Sequence, residues 1–166
     1  MKTDRIAHPD LATLAKLIDG IEVAMLTTRA ADGSLVSRPL QTLKADASGD
    51  LCFFTAADSG KVDELLADAR VNLAYAHPGQ HCYLSVRGTA SVSRDRALIE
   101  ELWSFAQKPF FPGGKDDPNL VVLRVRVRDA DYWEAPGNFV SRALDFTRAI
   151  LSEDASDLGE HGKLVR

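Results

Sequence analysis

From position 121 to position 128 the chain keeps a period of two: Val121, Leu123, Val125 and Val127 interleave with Val122, Arg124, Arg126 and Arg128. Successive side chains of a strand point to opposite faces, so this segment reads as a strand with one face in a core and the other in water. A half-buried strand needs sheet partners, and the sequence supplies them. Apolar, β-rich runs at 21–28, 35–44 and 51–55 are separated by Ala31-Asp32-Gly33-Ser34 and Asp46-Ala47-Ser48-Gly49-Asp50. Glycine-bearing turns between such runs predict successive antiparallel hairpins. Two further strands, 71–76 and 82–92, flank the turn His77-Pro78-Gly79-Gln80-His81,.

Helical periodicity is confined to the gaps between strands. Leu11, Leu14, Ala15 and Ile18 repeat at i, i+3, i+4, i+7 behind the candidate N-cap Asp10, and Gly20 stops the run,. Val62, Leu65, Leu66 and Ala69 define a short helix over 59–69, and Leu98, Leu102 and Phe105 one over 94–106. A fourth is expected over 138–151, after Pro136-Gly137, and a polar tail over 152–166. Helices do not alternate with strands, and neither G-x-G-x-x-G nor G-x-x-x-x-G-K-[ST] occurs, so classical dinucleotide and P-loop sites are excluded. The expected class is α+β, mainly β, with one sheet closed into a small barrel and helices at its periphery.

The 166 residues contain no repeat, low-complexity tract or Pro/Gly/Ser-rich linker, and are read as a single domain over 1–166 with 1–7 and 152–166 as peripheral tails,. With 20 basic and 24 acidic side chains the net charge is −4, which argues against long polyanions such as nucleic acid,. No apolar run approaches the roughly 18 residues of a membrane span, and the first residues lack the apolar core of a signal peptide, so a cytoplasmic protein is expected. Cys52 and Cys82 belong to no C-x-x-C and read as small buried apolar residues,. His77 and His81 are four apart, but Pro78-Gly79 prevents a helix from aligning them as a metal pair,.

Two segments could carry chemistry. In Ser37-Arg38-Pro39-Leu40-Gln41 the proline removes a ladder donor, which places the segment at a sheet edge or bulge with backbone groups available to a ligand,. In Phe53-Phe54-Thr55-Ala56-Ala57-Asp58-Ser59-Gly60-Lys61-Val62 a strand ends where a helix begins. Helix-start amides, the Ser59 hydroxyl and the Lys61 ammonium could then converge on a phosphate. The plainer alternative is that Ser59 caps the helix and Lys61 lies in solvent.

The order of these segments resembles the FMN-binding split barrels related to pyridoxamine 5′-phosphate oxidase, and within them the general stress protein branch. The resemblance spans about residues 8 to 151. It includes Phe111-Pro112-Gly113-Gly114-Lys115-Asp116-Asp117-Pro118 before the last strand, and Tyr132-Trp133-Glu134 within it. It implies a six-stranded antiparallel Greek-key split barrel that binds FMN across the interface of a homodimer. Arg38, Lys61 and the Ser59 hydroxyl would hold the phosphate, with the Gly60 amide in the same loop. Pro39, Leu40 and Gln41 would meet the isoalloxazine ring, Phe54 and Thr55 would line the ribityl region, and Trp133 would wall the flavin. The Arg and His that follow the tryptophan in the oxidase are replaced by Glu134-Ala135-Pro136-Gly137-Asn138-Phe139, so vitamin B6 oxidation is not expected. A flavin oxidoreductase acting on a small substrate or reduced nicotinamide, and a non-catalytic flavin buffer or sensor, are both compatible with this pattern.

Overall fold

A computed structural model describes residues 5–6, 11–45, 50–134 and 160–165. The strands are β1 (Arg5–Ile6), β2 (Val23–Arg29), β3 (Leu35–Gln41), β4 (Lys44–Ala45), β5 (Asp50–Ala56), β6 (Arg70–His77), β7 (Cys82–Ser93), β8 (Leu120–Glu134) and β9 (Glu160–Val165). The helices are α1 (Leu11–Ile18), α2 (Gly60–Ala67) and α3 (Arg96–Leu102). The expected helix over 138–151 and the Asp10 cap lie outside the described residues.

The sheet order is β1-β9-β8-β7-β6-β2-β3, with β5 on the edge of β8 and β4 on β5. Every pairing is antiparallel except β1 with β9. Strands β6, β7 and β8 form a meander, and β5 reaches the far side of β8 through α2, giving the spatial order 5-8-7-6 of a Greek key,. The sheet curls into a split barrel. The expected strand count of six is corrected: among the described residues seven strands have six or more residues, and two have only two. The additional long strand is β9, which pairs with β8 from Asp129↔Val165 to Glu134↔Glu160 and carries no apolar periodicity that would mark it.

The alternation at 121–128 reaches the core as expected on one face, where Leu123, Val125 and Val127 join Leu26, Phe53, Leu73 and Val86. The other face is not uniformly wet. Leu120 and Val122 pack with Cys52, Phe54, Leu98, Ile99 and Phe111 in a second cluster beneath α3, so β5 is covered on both faces. Further along, the register between β7 and β8 shifts at Arg87/Gly88. This bulge inserts one extra residue and reverses the inward parity of β8: Ala130 and Tyr132 face the core, and Trp133 faces out,. The two cysteines are buried, Cys52 in the second cluster and Cys82 in the main core.

The expected strand over 35–44 breaks after Gln41. There the Thr42 amide donates to Glu22 O at 2.8 Å and the Leu43 amide to Cys52 O at 2.9 Å, so the chain changes partner from β2 to β5 within two residues. This corner opens the cleft described next. Helix α3 begins where a side chain caps it: Asp95 accepts from the Leu98 amide,.

Candidate functional site

Strand β3 ends the sheet path and, among the described residues, pairs only with β2, so Pro39 stands on an edge and costs no ladder bond, as its sequence context requires,. Between that edge, the corner at Leu43 and the end of β5 lies a cleft of about 630 Å³. A volume of a few hundred Å³ with mainly apolar walls and a few polar groups suits a small organic ligand. Pro39, Leu40, Gln41, Phe54, Thr55 and Lys61 all line it. Six of the ten expected site residues therefore share one cavity. Val23, Leu43, Ala56, Gln107, Phe110 and Phe111 complete most of the wall. Phe110 and Phe111 come from the loop before β8, whose segment from Phe111 to Pro118 entered the sequence analysis only as part of the family resemblance. No local signal marks Val23 or Gln107, which reach the cleft only through the tertiary fold.

Ser59 and Gly60 adjoin Lys61 at the start of α2. Ser59 occupies the N-cap position in an extended conformation, yet its side chain makes no capping bond. Its Oγ is buried and has no hydrogen-bond partner among the described residues. The capping alternative therefore fails. An unpartnered buried hydroxyl costs on the order of 1–3 kcal/mol, and it stands beside helix amides that lack intrahelical acceptors. A Cβ added at Gly60 would meet nothing within 4 Å, so the space over this turn is open.

Lys61 is not in bulk solvent either. Its Nζ donates to Thr55 Oγ1 at 2.9 Å, bringing the ammonium to the end of β5. Burial lowers its pKa first, the nearby Arg38 guanidinium lowers it further, and Glu64 opposes both. These groups form a small basic locus with an unsatisfied donor, which is what an anionic oxygen cluster requires.

Arg38 approaches the same helix from β3. Its Nη1 and Nη2 donate to Glu64 Oε2 and Oε1, each at 2.8 Å, and Nη1 also donates to Thr28 Oγ1 at 2.8 Å. Thr28 in turn donates to Glu64 Oε2 at 2.6 Å. Hydrogen bonds from Arg38 and then from Thr28 hold the Glu64 carboxyl below its ordinary range. Sequence reasoning missed Glu64 and Thr28 because they lie 26 and 10 positions from Arg38 on a different helix and strand. A guanidinium has five N–H donors. Three are used here, and Nε with the outer proton of Nη2 remain without partners among the described residues.

Trp133 is not brought to the cleft of its own chain. It lies outward on β8 opposite Tyr83, 44% exposed. Thr55 pairs with Val121 at the other end of that strand. Trp133 is absent from the lining of the cleft.

The remaining candidates resolve into structure. His77 Nδ1 accepts from the Gln80 amide within its own turn, and no group of three metal-ligating side chains occurs among the described residues. Arg124 and Arg126 on the outward face of β8 each approach Asp50 at 3.7 Å, and Arg128 meets Asp129 at 3.0 Å, so these three arginines are paired within the chain.

Comparison with known proteins converges on one group. The family described as pyridoxamine 5′-phosphate oxidase-like matches residues 10–157. Protein bli-3 of Neurospora crassa is 30% identical over 149 residues, covering 84% of this chain and 71% of that protein. General stress protein 26 of Bacillus subtilis is 28% identical over 78 residues, covering 45% of this chain and 55% of that protein. The general stress FMN/FAD binding protein of Xanthomonas citri superposes with a TM-score of 0.68 at 26% identity, over 78% of this chain and 92% of its own.

Proposed function

As this chain belongs to the pyridoxamine 5′-phosphate oxidase-like family, we propose that it is a general stress-type flavin protein that binds FMN in the cleft between β3 and α2. The observation that carries this reading is the buried, unpartnered Ser59 hydroxyl beside Lys61, at one end of an apolar cleft bounded by an unpaired strand edge. FMN joins a phosphate to a planar apolar ring with polar edges. The site offers the complement of each part: Ser59, Lys61, the Gly60 turn and the unused fork of Arg38 for the phosphate, and Phe54 with the β3 edge at Pro39, Leu40 and Gln41 for the ring. The relative from Xanthomonas citri, described as FMN/FAD binding, supports the same ligand class.

The site is completed by a second copy of the chain. Trp133 does not line the cleft of its own chain, and the outward sheet face bears exposed Val23, Met25, Tyr83 and Trp133. A patch of this kind on a soluble sheet marks an interface. In a two-fold dimer Trp133 of the partner subunit would close the cleft.

The bound flavin supplies redox chemistry, and we infer an oxidoreductase that takes electrons from a reduced nicotinamide or small substrate. The chain's own contribution is to anchor the phosphate, present the ring along an apolar wall, and exclude water with Phe110 and Phe111. The test is spectroscopic. Purified protein with added FMN should show a perturbed flavin spectrum and a higher melting temperature, and NADH or NADPH should bleach it under anaerobic conditions. Bleaching by neither donor points to a flavin buffer instead, and a spectrum and stability unmoved by excess FMN reject the flavin reading altogether.

A further inference from the structure

The cationic end of the cleft contains an anion of its own. Glu64 holds both terminal nitrogens of Arg38, and the hydroxyl of Thr28, only 1% exposed, bonds to each member of the pair. The triad therefore has one fixed arrangement. Arg38 and Lys61 contribute two positive charges and Glu64 removes one, leaving +1 where a phosphate monoester brings about −1.5 to −2 near neutral pH.

We propose that Glu64 is a specificity-determining residue that limits the affinity of this cleft for phosphorylated flavin, so that FMN is held exchangeably. The inference rests on the flavin reading above. It assigns to Glu64 a charge role rather than that of a support for Arg38. Two facts favour charge. Arg38 keeps a second acceptor in the buried Thr28, so its orientation does not depend on Glu64 alone. In addition, the carboxylate side chain is 16% exposed, so solvent screens only part of its repulsion toward a bound phosphate,.

The experiment compares FMN with riboflavin, which lacks the phosphate, by fluorescence titration of wild type and Glu64→Gln. The amide keeps one oxygen acceptor for Arg38, exchanges the other for an NH2 group and removes the charge,. FMN affinity should rise about ten-fold, while riboflavin affinity stays within about two-fold. An unchanged or weaker FMN affinity, with riboflavin still bound, overturns the proposal and leaves Glu64 as a support for Arg38. If wild type binds neither flavin, the flavin reading fails and this inference falls with it. Glu64→Ala provides a second variant if the amide does not fold. Wild type alone gives a third measurement. A net charge of one predicts that FMN affinity falls by less than about three-fold between about 50 and 500 mM salt, and a loss of ten-fold or more contradicts it.

Discussion

Lys61 Nζ donates to Thr55 Oγ1 at 2.9 Å, tying the first turn of α2 to the last residues of β5. The bond fixes the ammonium at the mouth of the cleft in a partly desolvated position, where a charge-assisted bond to an oxyanion is strong,. Lys61→Ala should weaken FMN binding by about 10- to 100-fold, matching the roughly 1.5–3 kcal/mol of a bond to a charged group, and should change riboflavin binding by less than about two-fold. Parallel titrations of the two flavins measure this. Equal losses for both would place the phosphate elsewhere.

Ser59 separates ligand binding from stability. Its hydroxyl is buried without a partner among the described residues, and its removal relieves a desolvation cost,. Ser59→Ala should leave the melting temperature of the ligand-free protein unchanged or raise it by about 2–4 °C, and should weaken FMN several-fold. A lowered melting temperature would show that the hydroxyl supports the fold after all.

The extent to which this site was legible follows from how local each signal is. Pro39 in a β-rich run and Ser59-Gly60-Lys61 at a strand-to-helix junction announce themselves over a few residues, and both stand where the sequence placed them. The Arg38–Glu64 pair does not, because neither residue type is unusual in its own element and only the packing of α2 on β2 and β3 joins them. Likewise Val122 reads as part of a wet face until α3 and Phe111 cover it. The reversal of parity beyond Arg128, which turns Trp133 outward, depends on a bulge whose only sequence trace is Gly88 on the neighbouring strand.

Gly88 is required by close approach. A Cβ there would lie 2.5 Å from Arg126 O and 2.8 Å from Val125 Cγ1, and the backbone oxygen has no rotamer by which to retreat. Gly88→Ala should destabilise the fold by about 1–3 kcal/mol, the range for overpacking, measured as a lower urea midpoint at constant slope. A neutral result would mean that the bulge can relax.

Tyr75 gives the fold a pH dependence of definite sign. Burial raises its phenol pKa to about 12 from 10, and the hydrogen bond with Thr42 Oγ1 at 3.0 Å opposes the shift in part. The native state thus keeps a proton that the unfolded chain releases near pH 10. The Tyr75 contribution is fully present below that pH and is lost as pH rises from about 10 through about 12. Urea midpoints should fall across this window in wild type and fall less in Tyr75→Phe. Parallel declines would assign the effect to other groups.

The two-chain site makes a prediction about mixtures. If each cleft uses Lys61 of one protomer and Trp133 of its partner, Lys61→Ala and Trp133→Ala homodimers are both defective at every site. In a heterodimer of the two variants, both defects fall in one cleft and the other cleft is intact. Unfolding and refolding an equimolar mixture forms about half heterodimers, and so about a quarter of all clefts should recover wild-type FMN affinity. Titration would then show a tight phase of that amplitude, absent from either variant alone. A mixture that behaves as the sum of its parts would mean that Lys61 and Trp133 do not act on one flavin across the interface.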